Sequence, residues 1–376
     1  MKKILHVVAC LERGGTEAYI MSNYRVLDKT EYKYDFFVFS KKEYPYLEEI
    51  NKLGGNVFYG VPPAIKKIKE FSKSLMDVLK NNGPYDAIHT HVEFANGWVL
   101  KVAKKANVKV RISHSHFIQN IHSEGILNTA YRIFERHLIN KYSNAKLSCS
   151  YLAGESLYGK KVFKKSGKVI ENGIDVDNTL NTTADLSLLQ GVGIPKNADL
   201  ICGNITRFSH QKNQLYILDV FAEILKKRPC SYLILGGVDG GILGEVQNKV
   251  EKMGIQEKVK FIGVRQDVPK WLALIDVYLF PVLPEGFGIA LLEAQASGCQ
   301  CFSSTNVPQT VDVGLGIIEF NDLEIGPAEW AKKIIAKMDD FERPTKEMIK
   351  GAFTASGYDI MCSHEKIKKI YDGTEA

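Results

Sequence analysis

The stretch that decides the fold is PEGFGIALLEAQASG at positions 284–298, which follows the apolar, strand-like run VYLFP at 277–281. Gly286 and Gly288 permit a tight turn, residues 289–296 have helix-forming composition, and Gly298 is a suitable C-terminal stop. The pattern therefore predicts a strand, a glycine-rich loop and a helix in succession.

Two glutamates lie on either side of the start of this predicted helix. A helix N-terminus exposes unpaired N–H groups and carries about half a positive charge, so it can bind a diphosphate. Glu285 lies on the loop and Glu293 lies within the helix, where a rise of ~1.5 Å per residue separates them by most of a nanometre. This separation approximates the distance from a sugar to a ribose across a diphosphate.

The pattern EGFG-x-x-x-x-EA-x-A-x-G resembles the donor site of family-4 retaining glycosyltransferases of the two-domain GT-B fold, and every fixed position is present. The resemblance implies that Glu285 contacts the donor sugar and that Glu293 binds the ribose hydroxyls. It also implies that Gly286, Phe287 and Gly288 line the nucleotide-sugar site. The alternative is an ordinary loop and helix with two solvated glutamates, which the complete pattern disfavours.

Three further segments of the second half are similar to the same family. The segment TRFSHQKN at 206–213 resembles the family's G-R-x-x-x-x-K-(G/N) pattern, with a threonine in place of the first glycine. An arginine fork and a lysine can stabilise the charge on a departing diphosphate, so Arg207 and Lys212 are expected to bind it and to act in catalysis. The turn that begins at Gly236 resembles the family's glycine-rich turn. Val264 and Arg265 match the loop that holds the nucleotide base.

The first predicted strand, at 3–9, is followed by the loop LERGGTE. A dinucleotide-binding enzyme would need G-x-G-x-x-G here and an acidic residue at the end of the second strand. Neither is present, because the second strand at 35–40 runs into two lysines. These features argue against an oxidoreductase. The G-G-x-E loop resembles that of family-4 enzymes, which implies that Gly14 and Gly15 approach the donor phosphates and the acceptor.

Two histidine pairs occur at predicted strand ends, HTH at 89–91 and HSH at 114–116. Alternate residues share one face of a strand, so each pair could hold a metal ion. GT-B transferases as a family work without a catalytic metal, and only one member of each pair needs to face the site. We therefore expect no metal site and no cofactor. His114 resembles the family histidine that approaches the donor sugar, and His91 and His116 are weaker candidates.

The composition, 45% hydrophobic and 24% charged over 376 residues, fits two globular domains with ordinary cores. Seven scattered cysteines favour reduced thiols in a cytoplasmic protein over a disulfide framework or a zinc site. No run approaches the ~20 apolar residues that span a membrane. The N-terminal apolar run is too short for a signal peptide, and it indicates a buried first strand.

Positive charge is concentrated in the first half of the chain. Through residue 180 there are 28 Lys and Arg against 18 Asp and Glu, or +10, whereas the remainder carries −4. A basic half indicates an anionic partner, and no zinc-finger, RRM or KH signature points to nucleic acid. The lysine-rich segment 65–76 predicts an ordinary packed helix with a solvated basic face. A helix lying on anionic lipid is the less favoured alternative.

We predict an α/β protein of the GT-B class, with two Rossmann-like, doubly wound parallel sheets and a cleft between the domains. Residues 1–180 would bind the acceptor and residues 181–360 the donor, with a last helix at about 361–376 crossing back to the first domain. The resemblance implies retaining transfer of a hexose from a nucleotide-diphosphate sugar, most commonly a UDP-sugar. The acceptor would be a hydroxyl of a glycan or of a polyprenyl-diphosphate-linked sugar at the inner face of the cell membrane, as in capsular or exopolysaccharide synthesis. The alternatives are a non-catalytic nucleotide-sugar-binding subunit and a nucleotide-sugar epimerase of the same fold.

Overall fold

The computed structural model describes residues 1–12, 14–118 and 125–374, and it divides the chain into two α/β units. The first unit comprises Met1–Gly173 together with Ile360–Ala376, and the second comprises Ile174–Asp359. The division thus falls after Gly173, before the predicted end of the first domain at residue 180. Each unit is a parallel sheet flanked by helices, which confirms the predicted fold class.

The first unit contains a seven-stranded parallel sheet with the order β3-β2-β1-β4-β5-β6-β7. Its strands are β1 Lys2–Val8, β2 Tyr32–Val38, β3 Val57–Tyr59, β4 Ala87–Thr90, β5 Val110–Ser115, β6 Ala145–Ser148 and β7 Gly167–Val169. Its first seven helices are α1 Gly15–Val26, α2 Leu47–Lys52, α3 Ile68–Asn81, α4 Asn96–Lys105, α5 Ile126–Tyr142, α6 Tyr151–Tyr158 and α7 Lys160–Ser166.

Alternate residues of β1 enter two different cores, because successive side chains of a strand point to opposite faces of the sheet. Ile4 and Val8 pack with aromatic residues on the face that α1 covers. Leu5 and Val7 pack on the other face, against α3 and α4. His6 shares the first face, and its ring centroid lies 4.2 Å from that of Tyr34 in the buried aromatic core.

The second unit contains a six-stranded parallel sheet with the order β10-β9-β8-β11-β12-β13. Its strands are β8 Ile201–Ile205, β9 Tyr232–Gly236, β10 Val259–Gly263, β11 Val277–Phe280, β12 Gln300–Ser304 and β13 Ile318–Asn321. Its helices are α8 Val176–Asn181, α9 Leu186–Gly191, α10 Gln214–Lys227, α11 Leu243–Lys252, α12 Val268–Leu272, α13 Ile289–Ala296, α14 Gly326–Asp339 and α15 Lys346–Ser356. The last helix, α16 Ile360–Tyr371, returns to the first unit and packs against α1.

Strand order reverses beside the first strand of each sheet, between β1 and β4 in the first unit and between β8 and β11 in the second. Open α/β sheets bind ligands beyond the carboxyl ends of the strands at such a reversal. Gly14 and Gly15 follow β1, Arg207 follows β8, and Glu285 follows β11. The predicted site residues therefore lie at the edge of each sheet where binding is expected.

The lysine-rich segment is helical from Ile68 onward and packs on the sheet as α3. Helix α3 buries Phe71, Leu75 and Leu79 against the sheet. Ile65, in the single 3₁₀ turn before α3, is 64% exposed. No helix among the described residues combines the length and the apolar character needed to cross a membrane.

Candidate functional site

The loop after β8 presents Arg207 to solvent from a fixed backbone. Phe208 is buried and anchors the loop, while the side-chain amide of Gln214 donates to the carbonyl of Arg207 (2.9 Å) and to the hydroxyl of Thr206 (3.1 Å). Asn213 takes a left-handed conformation with φ +55°, which turns the chain into α10. Within the described part of the chain, no ion pair engages the Arg207 guanidinium, so it is available to an anionic ligand.

Three hydrogen bonds tie this loop to the loop after β11. The side-chain amide of Gln211 donates to the carbonyl of Pro284 (2.8 Å), and the N–H of Leu283 donates to the carbonyl of Gln211 (2.8 Å). The side-chain amide of Asn213 donates to the carbonyl of Pro281 (3.0 Å). The two loops that carry the predicted donor contacts are therefore held as one rigid surface.

Lys212 and Glu285, which were predicted separately, form an ion pair on this surface. The two side chains are 19% and 16% exposed, and the Lys212 ammonium lies 5.2 Å from the centroid of the Phe280 ring. The pair is thus partly shielded from water, which strengthens the attraction between the charges. A phosphate that bound Lys212 would compete with Glu285 for the same ammonium.

The predicted helix at 289–296 is confirmed as α13, and Gly288 precedes it with φ +93°. Glu293 lies in the second turn, where burial raises the pKa of its carboxyl to about 7. Among the residues that the structure describes, none donates a hydrogen bond to this carboxylate. Ligand hydroxyls that donated to it would replace the lost hydration, which is the role that the family resemblance gives to Glu293.

The turn after β9 was predicted to begin at Gly236, but in the structure it is Gly237 that approaches the neighbouring loop. Gly236 is the buried last residue of β9, where an added Cβ would lie 2.8 Å from the Ile262 side chain. Gly237 has φ +138°, and a Cβ there would collide with the carbonyl of Thr206. The close approach of the β8 and β9 loops thus depends on Gly237, whereas Gly236 serves sheet packing.

The two residues predicted to hold the base differ in environment. Val264 is 57% exposed, as a contact residue would be. The Arg265 guanidinium donates two hydrogen bonds of 2.8 Å to the Asp267 carboxylate, and it lies 5.5 Å from the Trp271 ring. Arg265 is therefore held by side chains of its own loop, and its contact with the base stays a prediction.

Gly14 and Gly15 begin α1 in the first unit, and the preceding Arg13 lies outside the described residues. Glu17 follows in the first turn, where burial raises the pKa of its carboxyl. The Cys10 thiol donates to this carboxyl over 3.6 Å. The loop after β1 thus places a carboxyl group and the first N–H groups of α1 at the same edge of the sheet.

His114 is fully buried and belongs to a cluster that the sequence did not predict. The cluster contains four more histidines and lies toward the carboxyl ends of β1, β4 and β5. These four are His6, His89, His91 and His116. Three hydrogen bonds join the rings. They connect His114 Nδ1 with His89 Nε2 (3.1 Å), His6 Nδ1 with His91 Nε2 (3.0 Å), and His91 Nδ1 with His116 Nε2 (2.8 Å). Both members of each histidine pair thus belong to the cluster.

The hydroxyl of Tyr371, from α16, connects the two branches of this cluster. It lies 2.8 Å from His89 Nδ1 and 3.4 Å from His6 Nε2. Burial lowers the pKa of every ring in the cluster, to about 3 for His6 and His116, so the imidazoles are neutral at neutral pH. His114 Nε2 is the one ring nitrogen of the cluster that is fully buried without a hydrogen-bond partner among the described residues.

Glu93 is a further buried carboxyl group that sequence reasoning missed. It follows β4 with φ +52°, and its carboxylate accepts from the N–H of His116 (2.7 Å) and from the hydroxyl of Ser115 (3.1 Å). Burial raises the pKa of its carboxyl to about 7. Glu93 lines a cavity of about 340 Å³ with Tyr131 and Glu135. The only signal in the sequence was an acidic residue two positions after HTH.

The two units match models of glycosyltransferase families. Residues 13–178 match the model described as "Glycosyltransferase Family 4", and residues 199–340 match "Glycosyl transferases group 1". Together these matches cover most of both units, including the loops that carry Arg207 and Glu285 and the strand β5 that carries His114.

Relatives align with nearly the whole chain. EpsF of Bacillus subtilis is 29% identical over 99% of this chain and 96% of its own. The capsular polysaccharide biosynthesis glycosyltransferase CapH of Staphylococcus aureus is 27% identical, with 99% of each covered. The UDP-Gal:alpha-D-GlcNAc-diphosphoundecaprenol alpha-1,3-galactosyltransferase of Escherichia coli is 23% identical, with 98% and 96% covered.

A solved structure gives the same fold. Anabaena HepE in complex with UDP-glucose superposes with a TM-score of 0.77 at 19% identity, covering 99% of this chain and 100% of that one. With this topology, a first unit that matches family 4 and a second unit that matches group 1, the protein is a glycosyltransferase of the GT-B fold.

Proposed function

We propose that this glycosyltransferase transfers a hexose from a UDP-sugar, with retention at the anomeric carbon, to a hydroxyl of a polyprenyl-diphosphate-linked glycan. The product would be a precursor of a capsular or extracellular polysaccharide. The observation that carries the donor half of this proposal is the joining of the β8 and β11 loops, which brings Arg207, Lys212 and Glu285 to one surface. This surface lies at the reversal of strand order in the second unit.

The charges of this surface fit a diphosphate. Arg207 offers an exposed guanidinium, Lys212 offers an ammonium, and the N-terminus of α13 adds its own partial positive charge. Glu293 lies further along α13, and its carboxylate would accept hydrogen bonds from the ribose hydroxyls. Glu285, at the other end of the surface, would contact the hexose once the diphosphate engages Lys212.

The same geometry favours a front-face route to retention. A covalent route needs a carboxylate nucleophile beside the anomeric carbon, and Glu285 is already paired with Lys212. In the front-face route, the bond from the anomeric carbon to the acceptor oxygen forms as the bond to the diphosphate breaks. The acceptor proton passes to the departing diphosphate, whose charge Arg207 and Lys212 stabilise. We propose that no metal ion is needed for this step.

The names of similar proteins support the choice of donor and acceptor. HepE is described with UDP-glucose, and the E. coli relative is named for UDP-Gal and a diphosphoundecaprenol-linked sugar. CapH is named for capsular polysaccharide biosynthesis. The basic first half of this chain fits an acceptor that carries a lipid-linked diphosphate at an anionic membrane surface.

A groove between α3 and α4 supports contact with that surface. It has a volume of about 400 Å³ and includes Ile68, Met76 and Trp98 among its lining residues. Four lysines also line it, at positions 69, 73, 101 and 105. Apolar side chains flanked by lysines fit the boundary between lipid headgroups and acyl chains, where each lysine contributes ~1 kcal/mol. We infer that the first unit docks on the inner face of the cell membrane through this groove.

The donor proposal is tested by thermal-shift titration of UDP, GDP, ADP and their sugar conjugates in metal-free buffer. We expect selective stabilisation by UDP and one UDP-sugar, its loss in Arg207→Ala, and its persistence in the control Lys226→Ala. Transfer by Arg207→Ala should fall by roughly 10²–10³-fold, because one charge-stabilising group is lost. A folded protein that binds no nucleotide at millimolar concentration, or that epimerises the sugar without an acceptor, would contradict the proposal.

The membrane proposal is tested by sedimentation with vesicles that contain phosphatidylglycerol. We expect binding that weakens with salt and that falls by at least ~100-fold when the four groove lysines become alanine. The matched control replaces four exposed lysines of the second unit, at 226, 227, 332 and 337. Equal loss of binding in both fourfold variants would show that total charge, rather than the groove, determines docking.

A further inference from the structure

The imidazole cluster of the first unit contains a set of three ring nitrogens suited to a metal ion. One nitrogen from each of His91, His114 and His116 lies within 4.8 Å of the other two. The three side chains follow or end two neighbouring strands, β4 and β5, so the sheet itself holds them together. A network of hydrogen-bonded imidazoles is the simpler interpretation, and it leaves one atom unexplained.

That atom is His114 Nε2. The His114 side chain is fully buried, and its Nδ1 is already paired with His89. Buried ring nitrogens in native proteins nearly always have a partner, yet His114 Nε2 has none among the described residues. A nitrogen of this kind, beside two other imidazoles, points to a ligand that binds nitrogen lone pairs.

The surrounding histidines provide the support that metal sites require. In such sites, the second nitrogen of each ligating imidazole is held by an outer group, which fixes the orientation of the ring. Here His6 holds His91 Nε2 at 3.0 Å, and His89 holds His114 Nδ1 at 3.1 Å. His89 is held in turn by the Tyr371 hydroxyl at 2.8 Å. His6 and His89 thus act as outer groups for two of the three candidate ligands.

We propose that His91, His114 and His116 form a binding site for a divalent transition-metal ion, with Zn²⁺ the best fit and a fourth position open to water or an anion. Three neutral imidazoles are a common ligand set for zinc with an open position.

The three nitrogens, which lie within 4.8 Å of one another, would have to adjust to bind this ion. Tetrahedral zinc with Zn–N bonds of 2.0–2.1 Å places neighbouring nitrogens roughly 3.3 Å apart. His91 Nδ1 and His116 Nε2 are 2.8 Å apart, so the ion would separate them slightly and replace the hydrogen bond between them. His116 is half-buried and lies just beyond the end of β5, where a ring can shift without disturbing the sheet.

His6, His89 and His91 form a second close set, which competes for the same ion. The nitrogens of His6 and His89 are all engaged, with His91, His114 and Tyr371. A metal ion there would break more hydrogen bonds, and this set contains no orphaned nitrogen. We therefore assign the ion to the set that contains His114.

A bound ion would withdraw His114 from the sugar contact that the family resemblance gives it, so zinc would inhibit transfer. This consequence alone rests on the proposed function. Metal binding is measured without substrate, so failure of the site and failure of the proposed function give different results.

The test uses the full chain, stripped of metal with a chelator. Titration with Zn²⁺ is followed by calorimetry, and titration with Co²⁺ by the visible absorption of tetrahedral cobalt. We expect one ion per chain. His116→Gln should weaken binding beyond the ~10–100-fold that loss of an outer group costs, and His6→Gln should weaken it within that range. His137→Gln, an exposed histidine of the same unit, is the matched control and should bind as wild type does.

Circular dichroism verifies that each variant is folded. Wild-type protein that takes up neither ion, or His116→Gln that binds like the control, would overturn the proposal. If His6→Gln lost most of its metal affinity and His116→Gln lost none, the ion would belong to the set of His6, His89 and His91, and the assignment would be overturned. Zinc binding without inhibition of transfer would overturn the inhibitory consequence.

Discussion

Replacing Glu293 with glutamine should stabilise the protein while weakening donor binding. Burial raises the pKa of this carboxyl from 4.5 to about 7, so the folded state disfavours its ionised form. The folded chain holds this proton between pH 4.5 and 7, where the unfolded chain has lost it, and stability therefore falls as pH rises through that window. A pKa shift of ~2.5 units lowers the free energy of unfolding by about 3 kcal/mol at pH 8.5 and by less than about 1 kcal/mol at pH 5.

Glutamine is neutral at every pH, so Glu293→Gln should raise the free energy of unfolding by about 3 kcal/mol at pH 8.5 and only slightly at pH 5. Urea unfolding followed by tryptophan fluorescence measures this difference, because Trp271 and Trp330 are buried in the second unit. Glu245→Gln, on the exposed face of α11, is the control and should change stability by less than ~0.5 kcal/mol at either pH. A variant that is no more stable than wild type at pH 8.5, or equally stabilised at both pH values, would refute the reasoning. Donor affinity should fall at the same time, because an amide lacks the carboxylate's strength as a hydroxyl acceptor.

Two further substitutions test the loops of the donor surface. Gly237→Ala should destabilise the protein by more than ~1 kcal/mol, because a Cβ there would collide with Thr206. The control Gly244→Ala in α11 places its Cβ in open space and should be neutral or stabilising by up to ~1 kcal/mol. Thermal melts of the two variants measure the difference. A double-mutant cycle on Lys212→Ala and Glu285→Ala should give a coupling of ~0.5–3 kcal/mol in urea unfolding without ligand, and a coupling near zero would show that the ion pair contributes nothing to stability.

The elements predicted best are those whose ends are marked by glycines, because glycine takes the left-handed backbone conformation that begins or ends a helix. The predicted helix at 289–296 is α13 to the residue, because Gly288 takes a left-handed conformation before it and Gly298 does so after it. The close association of the Arg207 and Glu285 loops follows from parallel topology, which brings the carboxyl ends of β8 and β11 to one edge.

The features that sequence reasoning missed depend on how separate segments meet. His6 stands alone in an apolar strand, and only the register that pairs it with His89 shows that it joins the other imidazoles. The run Gly236-Gly237 does not reveal which glycine needs a positive φ, because this depends on the approach of Thr206 from another strand. The division between the units falls after Gly173 rather than at residue 180, because it depends on which contacts the folded chain makes.

The return of α16 to the first unit has a consequence for synthesis of the chain. Ile367, Ile370 and Tyr371 fill the same core as Ile4 and the aromatic residues of α1 and β2. Asp372 accepts hydrogen bonds from the Lys2 ammonium (2.7 Å) and from a tyrosine hydroxyl of β2, so the segment after α16 is tied to β1 and β2. The whole second unit separates the first unit's sheet from α16 in the chain, so a ribosome makes the sheet well before the helix that completes its core. Until α16 has been made, this half of the nascent protein exposes an apolar, histidine-lined surface, and a chain truncated before α16 would leave that surface permanently open to chaperones and proteases.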